Sequence, residues 1–443
     1  MMDESEITSR GHSAREFIKE RRNMIFKDSK NNSITFRWLA HAIVAIYGAA
    51  CLWLYYHQSI ADLTVEGNIP YQSDLPLHIS MAVQDHWAYS FTAYAYQLLS
   101  WICGGSTIGI ALFLAVVSVL TVYATENLIC LFSGKTGAIS FQGAGQKIAG
   151  MDMGEQSGKL PANAEKTWKT LGLALSLNLV MPAYLSFVGE FRYVSYQSPN
   201  VWHNSTYLCM KLVALITIWY YFRLAEHYEK GLSVKEWVIF MLLNVICTGI
   251  KPSFLVAFSP IMGLFLLVDL FQKKPFSKIL LFGSALLPSG LVILWQNAVL
   301  FGENTGNGIG FHPWYSFSLH AAIPKLTVVC SALFCILVVA FTCFQEWRNR
   351  QYVFVLGMTA LGFLEALCLV ENGSRSVDGN FLWGYGFCLF LLFTLCSVKC
   401  LQMKQEKGWL AIKLTCVLAY GWHVWCGLYF FVRLVAGEGF FMR

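Results

Sequence analysis

Residues 57–107 contain no lysine or arginine. The same 51 residues carry Asp62, Glu66, Asp74, Asp85, His78 and His86, so the stretch is acidic and histidine-bearing without counter-cations. Charge is scarce throughout: of 443 residues, 13% are charged and 56% hydrophobic. Soluble domains run near 25% charged, which argues against one here. Paired or metal-spaced cysteines are lacking as well. Most of the 14 cysteines fall in long apolar runs and only Cys103 lies clearly in an outer segment, so no disulfide framework is expected. The polar start has no short apolar core of the signal-peptide kind, and 38–56 is read as a retained first span.

What is abundant is apolar sequence in membrane-length runs. A bilayer core of about 30 Å needs about 20 apolar residues per helix, and that ruler gives about eleven spans. They are 38–56, 107–127, 171–189, 204–224, 236–250, 253–271, 279–300, 322–343, 352–370, 383–399 and 409–433. The predicted class is an all-α, polytopic transmembrane protein, one domain over 1–443, with a basic tail at 1–37, an outer loop at 57–106 and an inner loop at 128–170. Basic residues gather in cytoplasmic loops. Placing the N-terminus in the cytoplasm puts 24 of the 32 basic residues inside and the C-terminus outside. The net charge of +6 then reflects attraction to inner-leaflet lipids rather than to nucleic acid. The glycines between Gly134 and Gly158 read as a connector, since no strand precedes them.

In the outer loop, 75–88 and 89–101 mix aromatic and apolar residues at near-helical spacing, which predicts one or two interfacial helices. Ser73-Asp74-Leu75-Pro76-Leu77-His78 opens the first. A spacing of four places Asp74 and His78 on one helix face, where Asp74 reads either as an N-cap or, with His78, as a general base or metal ligand. Asp85-His86 repeats the acid–histidine pairing.

Three further constellations are expected on the outer side. Glu371, Arg375, Asp378 and Asn380 crowd one late turn, with Glu365 less than two turns deeper. Lys251-Pro252 leaves almost no loop between two apolar runs, so Lys251 is either a phosphate-binding cation or a snorkelling lysine. Arg192, Trp202, His203 and Asn204 in one loop, and His312 with Trp314 in another, combine rings with hydrogen-bonding groups as sugar recognition requires.

Asp74 in the first outer loop, followed by interfacial helices in a many-span chain, resembles the C-type membrane glycosyltransferases. Ser198-Pro-Asn-Val-Trp-His-Asn-Ser-Thr-Tyr207 and Lys251-Pro-Ser-Phe254 also look like stretches of bacterial multi-pass proteins near that superfamily. The resemblance implies transfer of a sugar from a polyprenyl-phosphate donor to a lipid or glycan acceptor at the outer face of the cell membrane. Asp74 and His78 would be catalytic, and Arg192, Lys251 and Arg375 would hold the donor phosphate. Asp85, His86, Trp202, His203, His312, Glu371, Asp378 and Asn380 would contact substrate. A divalent cation, Mg or Mn, is the cofactor the resemblance allows, although many members carry Asp-Glu or Asp-x-Asp where this chain has Asp74-Leu75. The alternatives are a polysaccharide polymerase or ligase acting on lipid-linked glycans, a transporter or flippase using Glu365, Lys211, Lys325 and Lys413, and a scaffold.

Overall fold

In an apolar surround every backbone N–H and C=O needs a partner, and a helix supplies them within its own segment. The computed structural model describes residues 34–62, 69–86, 89–134, 166–193, 197–301, 308–319, 321–404 and 406–442. The expectations for residues 1–33, most of the 128–170 loop, Glu66 and the Arg375 side chain lie outside these residues. The helices are α1 (Ile34–Ser59), α2 (Leu75–Ile79), α3 (Phe91–Ile102), α4 (Ile108–Ser133), α5 (Trp168–Leu177), α6 (Ser205–Ala225), α7 (Val234–Ile250) and α8 (Ser253–Phe271). They continue with α9 (Phe276–Ser284), α10 (Leu287–Phe301), α11 (Tyr315–Ser318), α12 (Pro324–Glu346), α13 (Arg350–Cys368), α14 (Asn380–Gln402) and α15 (Lys407–Val435). Strands β1 (Ile309–Phe311) and β2 (Leu369–Glu371) pair antiparallel, with Ile309 opposite Glu371.

Nine stretches of the described residues are long and apolar enough to cross a membrane: α1, α4, α6, α8, α9 with α10, α12, α13, α14 and α15. The chain is a helical, multi-pass membrane protein. Two expected spans differ. Helix α7 has 17 residues, slightly short of a full crossing. The 171–189 run is not one helix: α5 stops at Leu177 and the chain continues without regular structure. All cysteines are free thiols, as their placement in apolar runs predicted.

Helix α14 is the central post. Every residue from Gly384 to Cys400 is buried, which suits a helix that is apolar on all faces. At one end of the bundle, charges tie helices in pairs. Arg37 meets the fully buried Glu126 at 2.6 Å, Lys399 meets Glu346 at 2.8 Å, and Asp269 takes Lys274 at 2.8 Å together with Arg350. Tyr228 donates to the same Asp269 carboxylate at 2.6 Å. Desolvation offsets much of the attraction in such pairs, so they are better read as register marks between helices than as large stabilisers.

The break after α5 is held by its neighbours. Asn200 donates through Nδ2 to the carbonyls of Leu177 and Val180, closing the end of α5. Met181 N–H donates to His423 O in the middle of α15, and Ala183 N–H donates to Cys330 O in α12. The His423 ring completes the joint: Nδ1 lies 2.7 Å from Met181 O and Nε2 lies 3.3 Å from Phe334 N. This pattern fits a neutral imidazole donating at Nδ1 and accepting at Nε2. Close approach of the break to α15 requires a missing side chain, because a Cβ at Gly427 would overlap the carbonyl of Leu179.

Gly427→Ala is therefore expected to lose more than about 3 kcal/mol or to fail to fold. Gly421→Ala, on the same helix with nothing near its Cβ position, should be neutral or gain up to about 1 kcal/mol. Thermal midpoints in detergent compare the two, and equal midpoints would remove the close approach as a constraint.

Candidate functional site

The broken segment ends where α6 begins. Asn204 is extended (φ −108°, ψ 101°) and caps α6: its Oδ1 accepts from Tyr207 N–H at 2.9 Å and from the Thr206 hydroxyl at 2.8 Å. Its Nδ2 then faces away from the helix and donates to Asp74 Oδ2 at 2.8 Å. The backbone joins the same two segments, since Asp74 N–H donates to His203 O at 3.2 Å. Asp74 occupies the N-cap position of α2, but its side chain makes no capping hydrogen bond. One turn on, His78 N–H donates to Asp74 O, and His78 Nδ1 lies 3.1 Å from Ser205 Oγ. Asp74 and His78 thus share one helix face, as their spacing predicts, and that face docks on the first turn of α6.

Lys251 reaches this turn from the α7–α8 junction. Pro252 heads α8 and Lys251 is extended, so the break carries the ammonium to 3.5 Å from Thr206 Oγ1 and 5.2 Å from the ring of Trp383. Trp383, in the first turn of α14, lies 6.0 Å from the His203 ring and 5.7 Å from Tyr207. His203 is buried, stacked on Phe440 at 4.3 Å and met edge-on by Tyr193 at 4.6 Å.

Part of the His78 surface stays open, yet burial of the ring dominates its titration and pushes its pKa down to about 4. Asp74 opposes that shift, while Lys251 and His203 add to it. Burial likewise lowers the His203 pKa against the pull of Asp74. Both imidazoles are read as neutral at pH 7.

The other expected residues divide. Trp202, expected to contact substrate, is buried against Phe430 and Phe431, and its indole N–H donates to Tyr47 Oη at 3.4 Å. Asp85 and His86 are exposed at the far end of the π-turn Ser80–Gln84, where His86 takes a left-handed φ of 52°. His86 lines a groove of about 340 Å³ with Gln97 and Trp101. Arg192 places its guanidinium over the rings of Tyr184 and Tyr429, one residue from Tyr193. Glu371 accepts from Asn380 Nδ2 at 2.8 Å, and Asp378 ends the 3-10 turn Gly373–Asp378 that also carries Arg375. His312 is exposed beside this cap, its N–H bonded to Cys368 O. Trp383, one turn below Asn380, joins the cap to the Asp74 cluster.

Sequence reasoning took Asn204 only as one hydrogen-bonding group of its loop, and assigned no role to Ser205, Thr206 or Trp383. A polar Asn-Ser-Thr run before an apolar helix is an N-cap signature and could have drawn attention to the first three. Among the described residues, no three His, Cys, Asp or Glu side chains are grouped to hold a metal ion. The donor set around Asp74, one carboxylate among amide, hydroxyl and ammonium groups, does not fit a divalent cation. Of the intramembrane charges, Lys211 is buried and donates to Asn200 Oδ1, Lys325 lies over Trp314, and Lys413 donates to Leu401 O.

Because folded His78 protonates only near pH 4 and an unfolded histidine near 6.5, the unfolded chain binds a proton first as pH falls. Stability should then decline from pH 6.5 towards 4, by on the order of 2–3 kcal/mol from this residue. His78→Gln should flatten the fall in thermal midpoint between pH 7 and 5. Identical slopes in both proteins would contradict a buried, neutral His78.

Compared with known proteins, the chain matches no family model, and no curated protein matches it.

Proposed function

We propose that the protein is a membrane glycosyltransferase that moves a sugar from a polyprenyl-phosphate donor to a lipid or glycan acceptor at the outer face of the cell membrane. The observation that carries this reading is the joint placement of Asp74 and Lys251 on the first turn of α6. The cluster lies at the end of the bundle away from the interhelical ion pairs. The proposed topology has eleven crossings from a cytoplasmic N-terminus, with α5 and the coil after it together making the third. Every clamp at Arg37, Lys274, Arg350 and Lys399 then falls on the cytoplasmic side, and Asp74, Lys251 and Trp383 fall outside.

In this reading the acceptor hydroxyl oxygen attacks the anomeric carbon as the bond to the phosphate oxygen breaks. The phosphate leaves with the bonding pair, and the hydroxyl proton passes to Asp74, with His78 beside it. Lys251 stabilises the charge that develops on the leaving phosphate, where a fixed cation in a water-poor site is effective. Arg192 and Arg375 are proposed as outer cations near the same mouth. Glu371, Asp378, Asn380 and His203 are proposed to frame the substrate. The break after α5 joins Lys251-Pro252 as a second discontinuity at membrane depth, a feature that favours the transporter alternative. Substrate movement without turnover would identify that case.

Transfer of radiolabelled sugar from polyprenyl-phosphate donors in proteoliposomes is the test. Asp74→Asn should lower the rate by about 100-fold or more, and Lys251→Met by about tenfold or more, in protein of unchanged thermal midpoint. Full transfer by Asp74→Asn would sink the base assignment. No transfer by folded wild-type protein from any such donor would leave the polymerase or transporter readings.

A further inference from the structure

Tyr96, on α3, is 1% exposed, and its hydroxyl makes no hydrogen bond of full geometry in the protein, with the Ser205 hydroxyl close enough to affect it. Leaving a buried hydroxyl unpaired costs about 1–3 kcal/mol, and phenylalanine would fill the same space without that cost. The hydroxyl also has a definite neighbourhood. Tyr96 lines a crevice with His78, Tyr89, Met81, Ala93 and Thr206, between α2, α3 and the first turn of α6. The crevice has a volume of about 10 Å³, close to the lower limit for one water molecule. On its wall, His78 uses Nδ1 towards Ser205, which leaves Nε2 as the ring nitrogen without an assigned partner. Thr206 is engaged by Asn204 and lies beside Lys251. The crevice therefore combines a phenol without a full hydrogen bond, a neutral imidazole nitrogen and space for one small polar group.

We propose that this crevice is a hydroxyl-binding site, with Tyr96 Oη and His78 Nε2 as its two contacts. A hydroxyl both donates and accepts, as does the phenol, and a neutral imidazole nitrogen accepts or donates according to its tautomer. A carboxylate or phosphate would match neither the size of the crevice nor its neutral lining. The hydroxyl comes from one of two sources: a water molecule, or the attacking hydroxyl of the sugar or lipid acceptor, with its carbon held at the mouth. The second source rests on the glycosyltransferase reading, while the first does not. In the acceptor-bound state, Tyr96 orients the hydroxyl next to the Asp74–His78 face. The need for that contact explains why a phenol is kept where the fold asks only for a ring.

Tyr96→Phe separates the roles, because it removes one atom that makes no full hydrogen bond within the fold. The variant is expected to keep or raise the thermal midpoint in detergent. A structure of the wild type in lipid nanodiscs, at a resolution that shows ordered solvent, is expected to place one oxygen within about 3.2 Å of both Tyr96 Oη and His78 Nε2. That oxygen should be missing in Tyr96→Phe. Its absence from the wild type would overturn the site. With acceptor present, replacement of the solvent oxygen by an acceptor hydroxyl, and an apparent acceptor KM raised about tenfold in Tyr96→Phe with a smaller change in kcat, would establish the acceptor as its occupant. Unchanged solvent with acceptor bound elsewhere, or a wild-type KM in the variant, would overturn the acceptor assignment. If the wild type transfers no sugar yet holds the ordered oxygen, the glycosyltransferase reading fails and the hydroxyl site stands.

Discussion

The arrangement of the Asp74 site depends on satisfying the backbone polar groups of the segment between α5 and α6. Water is scarce inside an apolar bundle, and each buried unpaired amide or carbonyl costs about 1–3 kcal/mol. Several left unpaired together would approach the whole net stability of a domain, about 5–15 kcal/mol. The segment avoids this by borrowing from helices on either side: His423 contributes its carbonyl and its Nδ1 to Met181, while its Nε2 accepts from Phe334 N–H on α12, and Cys330 contributes a carbonyl to Ala183. Asn200 closes the end of α5 and also accepts from Lys211, whose ammonium lies 3.4 Å from the Phe390 ring centroid. The same economy of space appears on α14, where a Cβ at Gly386 would come within 2.9 Å of Ser198 O. With the segment fixed at both walls, the chain reaches His203 and Asn204 in one direction, and α2 has a rigid edge to dock on.

Carboxylates at the two ends of the bundle have opposite surroundings, and the difference bears on which one is available for chemistry. Asp269 faces Arg350, Lys274 and Tyr228, so its oxygens are occupied by charge-assisted bonds. Glu126 is similarly taken up by Arg37 and by the Thr170 hydroxyl. Asp74, by contrast, takes a neutral amide from Asn204 and has Lys251 close enough to affect its neighbour His78. A carboxylate held by a neutral donor keeps lone pairs for a substrate proton, whereas one locked in an ion-pair network does not.

The apolar runs announced most of the helices, because hydropathy over a membrane-length window reports the requirement that makes them helical. Expected spans such as 253–271 and 107–127 lie on α8 and α4. The window misread 171–189 because composition cannot show who satisfies a backbone. Val180, Met181 and Ala183 are as apolar as any helix residue, and the partners of Met181 and Ala183 lie on α15 and α12, far along the chain. Asp74 and His78 were legible for a local reason, a four-residue spacing at a helix start. The burial of Trp202 was not legible, because an aromatic ring looks alike whether it will face a sugar or the Phe430 and Phe431 rings. Asn204 was visible only as one hydrogen-bonding group of its loop, since its bond to Asp74 spans 130 positions.

These strands meet at the first turn of α6. Asn204 caps the helix with one side of its amide and orients Asp74 with the other, so a shift of this turn moves the carboxylate. Ser205, the next residue, engages the His78 imidazole, and Thr206 lies between Lys251 and the crevice that Tyr96 lines. Three consecutive side chains on one rigid helix end therefore set the relative positions of carboxylate, imidazole and ammonium. Groups placed on a helix terminus hold their geometry better than groups on separate loops. The residues contributed by α2 and the α7–α8 junction come from short, sharply turned segments that lack such rigidity alone. The polar start of α6 is thus the frame against which the rest of the site is aligned.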